Sequence, residues 1–117
     1  MIGLYVHTIN VNELNFREEV IHSTLPVLVD FWAPWSAPCY QMAPVLDELA
    51  IQYFGRFKIV KINTDETRIG MRYDIMGIPS LLIFKNGHVM EYLTGPVPKS
   101  IIAAKLAYYS EAIAFYN

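Results

Sequence analysis

Residues 27–32, Val-Leu-Val-Asp-Phe-Trp, form an almost unbroken apolar run. That is the pattern of a strand buried on both faces, and Asp30 is its one polar member. Ahead of it, residues 4–9 read as a short strand. Residues 13–22 read as a helix capped by Asn12, with Leu14, Phe16, Val20 and Ile21 on its apolar face. Beyond the run, Met42, Val45, Leu46, Leu49 and Tyr53 recur at three- and four-residue spacing. This predicts a helix over residues 37–53, with Pro44 inside it and expected to kink it. Residues 57–62 are the next strand, and Asp65 and Glu66 open a short helix ending near Tyr73. Residues 80–84 and 89–93 flank Asn86-Gly87, a strong hairpin signal. Gly95, Pro96 and Pro98 then interrupt the chain before a final helix over residues 99–115.

Strands separated by helices favour parallel pairing, and the hairpin adds antiparallel strands. The expected architecture is α/β: a mixed central sheet of about five strands, flanked by four helices on both faces. The chain has 117 residues, 54% of them hydrophobic. It reads as a single domain over residues 1–117, large enough to bury a core without metals or disulfides. A net charge of −2 with no basic stripe argues against a nucleic-acid partner. No apolar stretch approaches the ~20 residues that span a bilayer. The first ten residues lack the pattern of a signal peptide. His7, His22 and His88 have no ligand spacing, so no metal site is expected. No glycine-rich phosphate loop is present, so no nucleotide cofactor is expected either. The lone Cys39 excludes an internal disulfide and fits either a reducing compartment, here expected to be the cytoplasm, or a chain from which a cysteine has been removed.

The candidate chemistry lies just after the apolar run, in Trp35-Ser36-Ala37-Pro38-Cys39. Dithiol exchange needs one exposed thiolate and a resolving thiol within reach. A helix N-terminus lowers the pKa of the first thiol, and two intervening residues put the second one turn in. Here Ser36 and Cys39 stand at that spacing, with Pro38 fixing the backbone between them. A serine hydroxyl is a far poorer nucleophile and forms no disulfide. As a residue, Ser36 also reads as a helix cap, and Cys39 as a buried inert thiol. An acid within a buried strand is costly, so Asp30 calls for a functional reason, although a satisfied buried ion pair is the bland alternative.

Several further segments occur in fixed order: Val29-Asp30-Phe31-Trp32-Ala33, Ala43-Pro44-Val45-Leu46-Asp47-Glu48, Lys61-Ile62-Asn63, Gly77-Ile78-Pro79-Ser80, Phe84-Lys85-Asn86-Gly87 and Gly95. With the Trp35–Cys39 turn, they make the chain resemble the thioredoxin family over about residues 4–106, with the W-C-x-P-C turn altered at Ser36. The resemblance implies a thioredoxin fold and a protein-disulfide reductase scaffold with Ser36 at the position of the nucleophilic cysteine and Cys39 at that of the resolving one. It makes Asp30 the proton acceptor for the resolving thiol and Lys61 the partner of Asp30. It makes the Ile78-Pro79 bond cis. It also implies a shallow apolar groove of Trp35, Gly77, Ile78, Pro79 and Gly95, bordered by Ala37 and Pro38, that pairs with an extended segment of the substrate. The implied partners are disulfide-containing target proteins and a thioredoxin reductase, which Cys39 is expected to capture as a stable mixed disulfide. A monomer is expected when free. The competing expectation is a natural binding module of this fold with no redox turnover. Ser36 itself reads either as an introduced near-isosteric replacement or as natural loss.

The chain departs from the family pattern at Ala37, where glycine is common, and at Tyr40, where a basic residue is usual. Pro96 and Pro98 stiffen the loop after Gly95. Residues 107–117 extend past the usual end, with Tyr108, Tyr109, Ile113, Phe115 and Tyr116. They are expected to fold back on the sheet, the alternative being an exposed partner surface.

Overall fold

The computed structural model describes the backbone of residues 7–115 and the side chains of residues 7–110. Five strands lie among the described residues: β1 (Thr8–Asn10), β2 (Val27–Trp32), β3 (Lys58–Asn63), β4 (Ser80–Lys85) and β5 (His88–Thr94). They join in one sheet in the order β1-β3-β2-β4-β5. β3 pairs parallel with β1 and β2, whereas β4 pairs antiparallel with β2 and β5. Residues 4–6 of the expected first strand lie outside the described residues. Asn86 and Gly87 both have positive φ, 54° and 81°, and join β4 to β5 in the two-residue turn that this dipeptide favours.

Three α-helices are described: α1 (Ala37–Gln52), α2 (Ile69–Arg72) and α3 (Lys99–Phe115). Alternation along the strands sorts side chains to two faces. Leu28, Ile59, Leu81 and Ile83 meet Met42, Leu46 and Leu49 of α1 and Ile102 and Leu106 of α3. On the other face, Val27, Val29, Phe31, Val60 and Leu82 meet Phe16, Val20 and Ile69. The sheet is therefore covered on both sides, as the apolar runs predicted. Tyr109 continues the buried stripe of α3, and the helix lies on the sheet at least that far. The side chains of Ile113, Phe115 and Tyr116 lie outside the described residues.

The helix expected over residues 13–22 opens at its Asn12 cap, and its regular part is wound as a π-helix over Arg17–Ile21. Asparagine side chains hold its start. The Leu14 N–H donates to Asn12 Oδ1 at 2.8 Å, the Asn12 N–H donates to Asn15 Oδ1 at 2.9 Å, and Asn15 Nδ2 donates to the Asn10 carbonyl at 3.1 Å. This is a reciprocal N-terminal cap, and the Phe16 N–H donates to the Asn12 carbonyl at 3.0 Å in the first helical turn. Leu14 is 95% exposed, so it does not share the apolar face of Phe16 and Val20. The short helix after β3 starts at Ile69 and not at Asp65. Asn63 Oδ1 takes the Asp65 N–H in a local turn, at 2.9 Å.

Candidate functional site

Strand register assembles the site from three chain segments. Phe31 of β2 lies opposite Ser80 of β4, and Ser80 lies opposite Thr94 of β5. The end of β2, the residue preceding β4 and the residue following β5 therefore meet at one end of the strands. The Ile78-Pro79 peptide bond is cis. The Gly95 N–H donates to the Pro79 carbonyl at 2.9 Å, and the φ of Gly95 is +73°, a left-handed conformation suited to glycine. The Ser80 hydroxyl donates to the Gly77 carbonyl at 2.5 Å and braces the same loop.

From the end of β2 the chain turns sharply into α1. The Thr64 N–H donates to the Trp32 carbonyl at 2.8 Å, and the Ser36 N–H to the Ala33 carbonyl at 3.2 Å. Ser36 occupies the N-cap position of α1, buried and with extended backbone, but its hydroxyl makes no capping hydrogen bond. The capping role that its residue type predicts is thus absent. Ala37 and Pro38 fill the first turn and are exposed. Pro38 needs no N–H there, because the first turn leaves those groups unpaired within the helix.

Cys39 is a free thiol, 5% exposed. It lies three, seven and ten residues before Met42, Leu46 and Leu49, so it shares the inward face of α1. Asp30 alternates with Leu28 and so points to the same side of the sheet. Both groups occupy the layer between sheet and α1. Asp30 is 1% exposed, and its Oδ1 has no hydrogen-bond partner. Burial pushes its pKa up from 3.8 to about 7, partly offset by the positive charge of Lys61. Lys61 lies opposite Asp30 in the β2–β3 register. Its ammonium is 5.3 Å from the centre of the Trp32 ring, a cation–π contact. It acts on Asp30 through space, and the orphaned Oδ1 sets this arrangement apart from the satisfied buried ion pair.

Trp35 is 71% exposed, and its indole N–H donates to Asp65 Oδ1 at 3.2 Å. The ring lines a groove of about 390 Å³ together with Thr64, Thr67, Met71, Ile75, Met76 and Ile78. Gly77 lines it too. The groove thus joins the turn before α1 to the cis-proline loop. Pro79 is buried beneath that loop, and Pro79 and Gly95 belong to the assembly through their mutual hydrogen bond rather than as lining. Sequence reasoning missed Met71, Met76 and Asp65 here. The available signal was a pair of methionines bracketing Ile75 in a segment with little helical patterning. Among the described residues no group of three or more histidine, cysteine or acidic side chains is placed to hold a metal ion.

A family model for thioredoxin matches residues 7–108. The chain belongs to the thioredoxin family. A thioredoxin of Synechocystis is 48% identical over 87% of this chain and 96% of its own length. Thioredoxin 1 of Nostoc is 48% identical over 82% of this chain and 91% of its own. The chloroplastic M-type thioredoxin of Spinacia oleracea is 46% identical over 86% of this chain and 56% of its own. The mixed five-stranded sheet with flanking helices is the thioredoxin domain in this chain.

Proposed function

We propose that this chain is a thioredoxin-type protein-disulfide reductase scaffold held at the binding stage by Ser36. The observation that carries the reading is Asp30. A module that only binds needs no unpaired acid in its core, whereas a resolving thiol needs a nearby base to take its proton. A carboxyl with a pKa of about 7 exchanges protons readily near neutral pH.

With a thiolate at position 36, attack on a target disulfide forms one new S–S bond and breaks the target's own, releasing one target thiolate. Cys39, giving its proton to Asp30, then attacks the mixed disulfide. The second target thiolate leaves, and an internal disulfide remains. Two electrons pass to the target, and a reductase returns them to the chain. With Ser36 the first step has no sulfur. Cys39 remains the one group able to form a mixed disulfide, and its burial makes that capture slow without the aid of a bound partner. The partners are disulfide-containing proteins and a thioredoxin reductase, and the setting is a reducing compartment such as the cytoplasm, in keeping with the lone thiol. Ala37, Pro38, Trp35 and the Gly77-Ile78-Pro79 loop with Gly95 position the target segment.

The second reading is a binding module of natural origin. The intact groove beside a serine that forms no disulfide favours it. Dithiothreitol-driven reduction of insulin disulfides separates the two. The chain itself is expected to be silent and its Ser36→Cys variant active. Silence of both contradicts the reductase reading and leaves the binding module.

A further inference from the structure

The carboxyl-terminal ends of three parallel strands converge beside Lys61. Asn10 closes β1, Trp32 closes β2 and Asn63 closes β3, and the register sets Asn10 opposite Lys61 and Trp32 opposite Asn63. In open α/β sheets, ligands are held in the space beyond such strand ends. Here that space is a cavity of about 290 Å³, lined by those four residues with Asn12 and Glu66. It shares no lining residue with the Trp35 groove. Its polar groups are one-sided. Asn12 Oδ1 is taken by the Leu14 N–H at 2.8 Å, and Asn63 Oδ1 by the Asp65 N–H at 2.9 Å. Each amide is oriented by that bond, and its NH2 donors remain to be used. The Trp32 indole N–H is buried and has no acceptor. The Lys61 ammonium lies over the Trp32 ring, and among the described residues no carboxylate is within ion-pair distance of it. Buried donors without partners are costly, and a negatively charged acceptor satisfies them most strongly. Glu66, exposed, is the one anionic group in the lining, and it disfavours a second negative charge on the occupant. A carboxylate carries one charge and about four lone-pair sites on two oxygens, which matches this donor set.

We propose that this cavity binds a single carboxylate group, held by the Lys61 ammonium, the Trp32 indole N–H and the amides of Asn12 and Asn63. Its size suits a small free acid or the end of one acidic side chain. Occupancy gives Lys61 a close anionic partner and so withdraws the positive charge that partly offsets the burial of Asp30. In a consequence that rests on the reductase reading, the bound carboxylate keeps Asp30 protonated and slows the resolving step.

Indole 15N–1H NMR reads the site directly, because the chain has two tryptophans and the Trp35 N–H is already bonded to Asp65. The probes are sodium acetate and a terminally blocked glutamate peptide, with sodium chloride at equal ionic strength as the reference. Acetate is expected to move the Trp32 indole signal downfield to saturation and to leave Trp35 in place, and chloride to give no saturable shift. The Asn12→Asp/Asn63→Asp variant keeps both acceptors for the backbone N–H groups but replaces the amide donors with negative charge. Checked for folding by its thermal melt, it is expected to bind acetate about tenfold more weakly or worse. Glu66→Gln is expected to tighten acetate about threefold. Tighter binding of the peptide than of acetate supports the site with an acidic side chain as its occupant, and the reverse supports it with a free acid. A Trp32 shift that never saturates overturns the site, as does one that chloride reproduces or that the double variant leaves unchanged. These readouts need no sulfur at position 36. A saturable Trp32 shift beside a Ser36→Cys variant that fails to reduce insulin therefore leaves the site standing and removes the reductase reading. An active Ser36→Cys variant is expected to reduce insulin more slowly in acetate than in chloride, and equal rates overturn the coupling to Asp30.

Discussion

Asp30 is costly where it stands. A raised acid pKa means that the folded chain holds the proton more tightly than the unfolded one does. The Asp30 contribution to stability is therefore most favourable below about pH 4 and is lost as pH rises through about 7. At ~1.4 kcal/mol per pKa unit, holding the carboxylate charged in the core at pH 8 costs the fold up to about 4 kcal/mol. Replacing Asp30 with Asn is expected to stabilise the protein by roughly 2–4 kcal/mol at pH 8, and by much less at pH 4. Urea denaturation at the two pH values checks this, and an equal effect at both contradicts the account. The acid was legible in the sequence because it interrupts an apolar run. The placement of Lys61 was only half legible. Its strand follows from the pattern and its neighbour Asp30 from the family resemblance, but the preference of its ammonium for the Trp32 ring depends on where one flexible side chain settles.

At the level of elements, segments with one dominant signal read correctly. The apolar run gave β2, Asn86-Gly87 gave the β4–β5 hairpin, and the three- and four-residue spacing gave α1, which runs unbroken through Pro44. Residues 13–22 read correctly at their Asn12 cap, but periodicity does not separate an α-turn from the wider π-turn of Arg17–Ile21. Residues 63–68 did not begin the helix read from Asp65 and Glu66, because Asn63 and Thr67 turn the chain in place of a first helical turn. α3 is tied down by more than its apolar stripe. The Tyr109 hydroxyl donates to Glu91 Oε2 at 2.7 Å, and Lys105 reaches the same carboxylate at 3.1 Å. Burial and this bond push the pKa of Tyr109 up to about 12. Tyr109→Phe is expected to cost about 1 kcal/mol of stability by urea denaturation, the usual worth of one hydrogen bond. Tyr108→Phe, at an exposed neighbouring position, is expected to fall within about 0.5 kcal/mol of the parent.

Across the whole molecule, the site exists only because the sheet order brings β2 beside β4 and β4 beside β5. Trp35, Ile78 and Gly95 are far apart in sequence, and no local pattern joins them. The family resemblance joined them instead, and the register supplies the physical reason. Met71 and Met76 escaped that route because the motif around the cis-proline loop starts only at Gly77. The central claim is that the scaffold is an exchange site complete but for one sulfur. It is tested most directly by mixing the reduced Ser36→Cys variant with an equivalent of oxidised insulin and measuring its intact mass and free thiols. The account predicts loss of two hydrogens and of both thiols, as the introduced sulfur joins Cys39. A variant that keeps both thiols, or halts as a stable adduct on the introduced sulfur alone, contradicts it.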